Sequence, residues 1–351
     1  MHPTAPQEQI KIETPVRDQL KRRIHDLRIS VIDRCNFRCR YCMPEEEYSK
    51  HYTFLKPESW LTYAEIFRLT KIFVSQGVEK VRLTGGEPLL RPGLSGLIRD
   101  LSTIEGIDDL ALTTNGLLLE QYTDELKRAG LKRLTVSLDT LDPQIFRHMS
   151  GGKGDVEQVL RGIAAAERAG FKNIKINTVV QKGVNDHTIL DLIEHFRGSG
   201  HIIRFIEYMD VGNCNHWDLS NVVSSASLLK TIQAHFPLDP LSANYNGEVA
   251  ARYRFRDGAG EIGFISSVTQ PFCGSCTRAR LSTDGKIYTC LFASSGSDIR
   301  LRLRSGAGDA ELRDFIQTLW SKREDRYSEQ RNSFNASHKA SQRIEMFQIG
   351  G

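Results

Sequence analysis

Between residues 27 and 206 the chain repeats one pattern six times: a short apolar or β-branched run, a loop, then a stretch with helical periodicity. The strand-like runs occupy 27–32, 78–83, 109–113, 131–138, 173–180 and 202–206. Helical stretches fall around 62–76, 92–104, 119–129, 155–169 and 186–197. Gly77, Gly130, Gly170 and Gly198 stand where left-handed helix caps are expected, and Pro92 and Asp155 suit helix starts. Strands separated by helices of this length pair in parallel through helical crossovers, so the expected fold class is α/β. Six units fall short of the eight that close a TIM barrel. Periodicity alone leaves two arrangements open, an incomplete barrel and a doubly wound sheet.

The 351 residues suffice for one such core and an appendage. Residues 1–20 are polar and proline-bearing and read as a flexible lead-in, and Lys21-Arg22-Arg23 reads as a solvated charge cluster. The core is placed at 21–215. From 216 to 321 the rhythm changes to a helical stretch at 225–235, alternating runs at 249–255, 261–266 and 299–304, and a helix near 309–320. This predicts a smaller, mainly antiparallel region packed against one end of the core. Arg300-Leu-Arg-Leu-Arg304 alternates with period two, which places its arginines on one solvent-facing side of a strand. Residues 322–351 form a charged tail ending in Gly350-Gly351, with 322–343 poor in apolar residues and read as mobile.

Bulk properties narrow the function. No apolar stretch reaches the length of a membrane span, and the first residues lack the apolar core of a secretory signal. A net charge of +4 fits an anionic small substrate without demanding nucleic acid, which calls for a concentrated basic stripe. Seven cysteines in a chain of this size point to a reducing cytoplasm with thiolates kept for metal.

Three of those cysteines, Cys35, Cys39 and Cys42, lie within eight residues directly after the first strand. A structural zinc wants a fourth ligand, which Met43, Pro44 and Glu45 do not supply. The run is polar and arginine-rich, a poor core segment, and a disulfide framework suits a short secreted chain. Three thiolates on one loop instead fit a 4Fe–4S cube with one iron left open. A second triplet, Cys273-Gly-Ser-Cys276 with Cys290, repeats the arrangement, and Cys214 is read as structural. Arg278 and Arg280, two apart on a strand beside it, point to the same side and suit an anion. In Thr84-Gly-Gly-Glu-Pro88 the glycines let backbone approach a ligand, and Glu87 can accept from an ammonium. Ser137 is either a ligand contact or a cap, and Met209 either an adaptable apolar contact or core.

Cys35-x₃-Cys39-x-Tyr41-Cys42, with an aromatic before the last cysteine, resembles the signature of the radical S-adenosylmethionine (SAM) superfamily. The further segments Thr84–Pro88, Thr113-Thr-Asn-Gly116, Arg204-Phe-Ile-Glu207, Met209-Asp-Val-Gly-Asn213 and Phe272-Cys-Gly-Ser-Cys-Thr-Arg-Ala-Arg-Leu281, with the Gly-Gly end, narrow it. From about residue 21 onward the chain closely resembles the GTP 3′,8-cyclase family, which opens molybdenum cofactor biosynthesis.

That resemblance implies an incomplete (βα)₆ TIM-like barrel and two 4Fe–4S clusters. Cys35, Cys39 and Cys42 would hold the cluster that binds SAM, with Tyr41, Gly86, Ser137 and Met209 contacting SAM. Cys273, Cys276 and Cys290 would hold a second cluster whose open iron takes the guanine. Arg28, Arg82, Thr113, Lys175, Arg278, Ala279 and Arg280 match GTP-binding positions, with Arg278 and Arg280 the catalytic candidates. Arg28 and Lys175 support this from the residues themselves, since a charge inside a strand makes an odd core residue without an anion to face.

The implied reaction removes the ribose 3′ hydrogen with a 5′-deoxyadenosyl radical and joins C3′ to guanine C8, giving (8S)-3′,8-cyclo-7,8-dihydroguanosine 5′-triphosphate. Implied partners are an electron donor of flavodoxin or ferredoxin type and the next enzyme, cyclic pyranopterin monophosphate synthase. Neither nucleic acid nor membrane is expected, and the protein would be a cytoplasmic monomer or homodimer. The rivals are an iron–sulfur electron carrier with fully ligated clusters, a tRNA-modifying radical enzyme with steep salt dependence, and a peptide-maturing radical enzyme with more auxiliary cysteines.

Overall fold

Along each of the first six strands apolar and polar side chains alternate, and that period of two decides the architecture. A computed structural model describes residues 15–49, 51–331 and 343–350. Strands β1 (Asp26–Ser30), β2 (Lys80–Thr84), β3 (Asp109–Thr114), β4 (Arg133–Ser137), β5 (Lys175–Val180) and β6 (Ile202–Glu207) lie side by side in sequence order, all parallel. Helices α1 (Tyr63–Ser75), α2 (Leu94–Ser102), α3 (Leu119–Arg128), α4 (Pro143–Met149), α5 (Val156–Arg168) and α6 (Ile189–Phe196) fill the crossovers.

Leu27, Ile29, Val81, Leu83, Leu110, Leu112, Leu134, Val136, Ile203 and Phe205 are buried in the main core with the helices. The residues between them face a cavity: Arg28, Arg82, Thr113, Ser137, Lys175 and Arg204 all stand on its wall. A parallel strand packed on both faces reads as a continuous apolar run. Here one face meets helices and the other a polar cavity, which is why the strands alternate.

Helix ends follow their local chemistry. Thr62 Oγ1 accepts from Glu65 N and Glu65 Oε2 from Thr62 N, a reciprocal cap that starts α1. Asp155 caps α5, whereas Pro92 stands just before Gly93, the residue that caps α2. The glycines at 77, 130, 170 and 198 all adopt positive φ, as expected of left-handed caps. Helix α4, absent from the sequence reading, is only seven residues long, too short for periodicity to reveal. Its signal was Asp142-Pro143: the Asp142 carboxylate accepts from Gln144 N and Ile145 N at 2.8 and 2.9 Å.

The C-terminal region departs from expectation. After α7 (Ser225–Gln233) come β7 (Leu238–Leu241), β8 (Ala251–Phe255), β9 (Glu261–Ile265), β10 (Arg278–Leu281), β11 (Lys286–Tyr288) and β12 (Ser297–Asp298). These join the same sheet, in the order β12-β11-β10-β1-β2-β3-β4-β5-β6-β9-β8-β7. The region therefore does not pack on one end of the core. It flanks both edges, adding β10 parallel to β1 and β9 parallel to β6, while its other four pairs are antiparallel, as the sequence reading expected.

Three local expectations are corrected. Arg300–Arg304 forms helix α8, not a strand: Leu303 N donates to Ile299 O, and Leu303 is buried while Leu301 is 71% exposed. Arg22 is not solvated but buried against Asp18, so residues 15–20 are part of the fold, whereas 1–14 lie outside the described residues. In the tail, Arg323 and Arg331 are buried and Met346–Ile349 is helical, while 332–342 and Gly351 lie outside the described residues. Helix α9 (Asp309–Ser321) forms as read.

A chain cut after Asn215 would leave β1 and β6 as unpaired edges with their apolar faces open. Its expected behaviour is aggregation on expression. A soluble, monomeric 15–215 fragment with a cooperative thermal transition would contradict the edge-sharing role of the C-terminal strands.

Candidate active site

The cavity on the inner face of the sheet measures about 290 Å³, and both cysteine triplets line it. Cys35, Cys39 and Cys42 follow the C-terminal end of β1. Because β10 runs parallel to β1, with Arg278 opposite Asp26 and Arg280 opposite Arg28, Cys273 and Cys276 precede the opposite end of the strands. Cys290 is there too, two residues past β11, which returns antiparallel to β10. Topology thus sets one triplet at each end of the strands, with the cavity between them. In parallel βα folds functional groups ordinarily gather at the C-terminal end alone.

At the first triplet, Tyr41 O–H donates to Asp139 Oδ2 at 2.8 Å and Val179 N donates to Asp139 Oδ1 at 2.9 Å. Phe37 N donates to Cys35 Sγ at 3.4 Å, and Asn115 Nδ2 stands 3.8 Å from the same sulfur. Burial, helped by the Glu87 carboxylate, pushes the Cys35 thiol up to about 12. Cys39 and Cys42 are also raised, by burial and then by their neighbouring cysteines. Thiols crowded together without a cation hold their protons, and bound iron supplies the missing positive charge. Three cysteines on one cavity wall, with Cys35 Sγ accepting an N–H bond, suit an iron–sulfur cluster. Among the described residues no group of three Cys, His, Asp or Glu side chains converges tightly enough for a single ion.

The Thr84–Pro88 turn supports this loop rather than a ligand alone. Gly86 N donates to Ile32 O at 2.7 Å and Glu87 N to Arg34 O at 2.8 Å, and a Cβ on Gly86 would fall 2.2 Å from Arg34 O. Gly86 also reaches the cavity wall. Glu87 overturns its sequence reading. It is 1% exposed and accepts from Leu89 N, Thr114 Oγ1 and Asn115 N, so it ties β2 to the turn after β3, and it is not among the residues lining the cavity. Burial lifts its carboxyl to about 7.

Between the triplets runs a row of cations. Register places Arg280, Arg28 and Arg82 side by side on β10, β1 and β2. Like charges directly opposite one another are unfavourable. Burial, then Arg280, Arg82 and Arg278, push Arg28 well below the usual guanidinium range. Burial with neighbouring arginines lowers Arg82 to about 10 and Arg280 to about 9. Lys175 falls to about 7, by burial and then by Arg204, Arg133 and Arg82. Arg204, on β6, is 7% exposed, and its Nε and Nη2 have no partner among the described residues. Buried donors left unpaired on a cavity wall mark an anion site.

At the second triplet, Arg278 Nη2 stands 3.2 Å from Cys276 Sγ. Burial opposes ionisation of that thiol, but Arg278 and Arg323 outweigh it and lower it to about 6. Phe292 N donates to Cys290 Sγ at 3.4 Å. Arg280 Nη1 donates to Ile349 O at 3.4 Å and also to Gly350 O, so the tail reaches the cavity. Thr113 Oγ1 accepts from Arg82 Nη1 at 3.4 Å, and Ser137 and Met209 line the wall. Ala279 alone among the expected residues turns its side chain into the core, as alternation between Arg278 and Arg280 requires.

Comparison with known proteins agrees with this geometry. Residues 29–196 match the Radical SAM superfamily and residues 201–329 match Molybdenum Cofactor Synthesis C. A protein of Xanthomonas campestris pv. campestris (strain 8004) named GTP 3′,8-cyclase is 54% identical over 337 residues, covering 96% of this chain and 98% of its own. Another so named, from Staphylococcus aureus (strain Mu3 / ATCC 700698), is 46% identical over 96% of this chain and 99% of its own. The chain belongs to the GTP 3′,8-cyclase family. It is thus an enzyme of the radical SAM superfamily. The crystal structure of Streptococcus suis SuiB bound to S-adenosylmethionine shares its fold, with a TM-score of 0.60 at 15% identity over 84% of this chain and 68% of that one.

Several cavity residues of this GTP 3′,8-cyclase family member were given no site role from the sequence: Arg133 and Asp139, and Asn115 and Arg204, which stand in the Thr113–Gly116 and Arg204–Glu207 segments. Arg204 carried the signal used for Arg28 and Lys175, a charge inside a strand. Asp139 and Asn115 carried none, because short polar residues after strands are common turn formers.

The lowered Lys175 predicts a pH dependence. Without an anion, the folded state disfavours its charged form, so raising pH from about 7 towards 10 stabilises the free protein through this group. A polyanion prefers the charged form, so inorganic triphosphate should bind more weakly as pH rises through 7. Lys175→Met should raise the Tm of the free protein at neutral pH and reduce its triphosphate-induced rise, and Lys175→Arg should flatten the pH dependence of binding. Equal pH profiles for the native and Lys175→Arg proteins in calorimetry would refute the assignment.

Proposed function

We propose that this chain converts GTP to (8S)-3′,8-cyclo-7,8-dihydroguanosine 5′-triphosphate, the first step of molybdenum cofactor biosynthesis, in a cavity between two 4Fe–4S clusters. The observation that carries this reading is the pair of cysteine triplets at opposite strand ends of one cavity, with buried cations between them. In this reading Cys35, Cys39 and Cys42 hold the cluster that takes SAM, and Tyr41, Gly86, Ser137 and Met209 border the SAM. Cys273, Cys276 and Cys290 hold the second cluster at the guanine end. When bound, the first cluster and SAM together supply a 5′-deoxyadenosyl radical able to take the ribose 3′ hydrogen.

The protein's own residues position the nucleotide. Arg28, Arg82, Lys175 and Arg204 offset the triphosphate charge through charge-assisted hydrogen bonds, the strong kind. Thr113 shares a hydrogen bond with Arg82 and fixes its fork. Ala279, anchored in the core between them, holds Arg278 and Arg280 towards the cavity. Because C3′ and C8 belong to one molecule, gripping both its phosphates and its base sets their approach, an orientation advantage. Arg278 and Arg280, at the guanine end, are the donors for the closing step. Met346 and Phe347 of the tail line the cavity and limit water access.

The same reading names the partners. An electron donor of flavodoxin or ferredoxin type reduces the first cluster, and cyclic pyranopterin monophosphate synthase receives the product. None of the seven cysteines is in a disulfide, which suits the cytoplasm, and a monomer or homodimer satisfies the site. Among the described residues no helix is long and apolar enough to cross a membrane.

Anaerobic reconstitution should load about eight irons per chain, the content of two 4Fe–4S cubes. With GTP, SAM and dithionite, 5′-deoxyadenosine and the cyclised nucleotide should form in equal amounts. Cys273→Ala should still cleave SAM slowly but make no cyclised product. Arg280→Ala should stall GTP conversion with iron content unchanged. Loss of SAM cleavage in Cys273→Ala with an intact first cluster would contradict the division of labour.

A further inference from the structure

Behind the second cysteine triplet lies a knot of buried charge that the proposed reaction leaves unused. Asp18 Oδ2 accepts from Arg22 Nε at 2.5 Å and from Arg323 Nη1 at 3.2 Å, and the three side chains are 0%, 2% and 1% exposed. Asp18 Oδ1 closes its own turn by accepting from Leu20 N and Arg22 N at 2.9 and 2.8 Å. Both guanidiniums also donate to main-chain carbonyls of the cysteine segments, while Arg22 Nη2 is buried without a partner among the described residues. Arg22 Nη1 donates to Cys273 O at 2.6 Å and Asp325 O at 2.9 Å. Arg323 Nη1 donates to Cys276 O at 2.7 Å, and its Nε donates to Thr289 O, beside Cys290, at 3.1 Å.

We propose that Asp18, Arg22 and Arg323 form a buried ion triad that presets the second cysteine triplet for its cluster, with Asp18 the positioning residue that fixes both guanidiniums. This rests on the two-cluster reading and extends it to residues remote in sequence. A buried ion pair gains little over an apolar substitute of the same shape, so stability alone gives it no reason to exist here. The planar guanidinium fork explains the choice of arginine: one side chain can bind a carboxylate and a carbonyl in fixed relative directions. Trp320 locks the arrangement, donating from Nε1 to Arg22 O at 3.0 Å while the Arg323 guanidinium stacks 4.6 Å from its ring. Two guanidiniums against the Asp18 carboxylate also leave positive charge beside a site built of thiolates, and Asp325 Oδ2, 3.3 Å from Arg323 Nε, balances part of it from the outer side. Supporting contacts of this kind orient metal ligands and set affinity.

The test isolates the second site by replacing Cys35, Cys39 and Cys42 with Ala, so that iron reports on Cys273, Cys276 and Cys290 alone. This parent should take up about four irons per chain on anaerobic reconstitution. In it, Asp18→Asn, which keeps shape and removes charge, and Arg323→Lys, which keeps charge and removes the fork, should each weaken iron retention against a chelator by roughly tenfold. Both should also shift the electron paramagnetic resonance spectrum of the reduced cluster. In the converse parent, with Cys273, Cys276 and Cys290 replaced by Ala, the same two substitutions should leave iron uptake by the first triplet unchanged, which excludes general unfolding. If Asp18→Asn fails this control, Arg323→Lys decides. Iron retention and spectrum unchanged from the parent overturn the triad's role and leave the two-cluster reading standing. A parent that binds no iron overturns both.

Discussion

Three arginines held abreast by strand register set the terms for the rest of the molecule. Arg280, Arg28 and Arg82 occupy matched positions on three parallel strands, so backbone pairing fixes them together. Burial on this wall, and then their mutual repulsion, push Arg28 well below its ordinary range. Arg280 is answered in part by the tail carbonyls and Arg28 in part by Asp26, and further negative charge can reach the row from the cavity. A TIM barrel ordinarily fills its interior with layers of branched apolar residues. Here those inward positions carry Arg, Lys, Thr, Ser and Asn, and the interior stays open as a cavity.

The same register explains why the C-terminal region is inseparable from the core. Strand β10 supplies Arg278 and Arg280, continues the parallel sheet past β1, and begins directly after Cys273 and Cys276. Strand β9 closes the other edge beside β6. One short segment thus seals an aggregation-prone edge, contributes cations and carries the second triplet. A pendant domain could do none of these at once, since its strands would lack a fixed register against β1.

Much of this was legible in the chain, and the gaps have physical causes. Period two, with charges at inward positions, exposed Arg28, Lys175, Arg278 and Arg280 as cavity residues. Three cysteines spaced along one loop read directly because loop closure is local. Glu87 misled because its sequence context offers a carboxylate but not the three donors that turn it towards the β3 turn. Arg300–Arg304 misled because five residues of alternating charge fit a strand and a helix turn equally. The decisive fact is burial of Leu303 against exposed Leu301, a tertiary matter. Asp18 and Arg323 were invisible for the strongest reason: their partnership spans 305 positions, and no local pattern announces a charge that is buried because its counter-ion comes from the far end of the chain.

Strand length fixes what the cavity can hold. Cys276 lies two positions before Arg278, level with residue 24 of the β1 strand line, and the first triplet starts beyond Ser30. At about 3.3 Å per residue, the strand line separates the two cysteine-bearing ends by roughly 20 Å. A compact anion such as phosphate could satisfy the arginine row but would touch neither triplet. A purine alone could meet the second triplet but would leave the cations unanswered. Only an extended ligand with an aromatic end, an anionic part and room beside it for a second small molecule engages every wall at once. Had β11 run parallel rather than returning antiparallel, Cys290 would have left its partners and joined the wrong end. The antiparallel turn in the C-terminal region is therefore what allows one face of a parallel sheet to carry a cysteine triplet at each end.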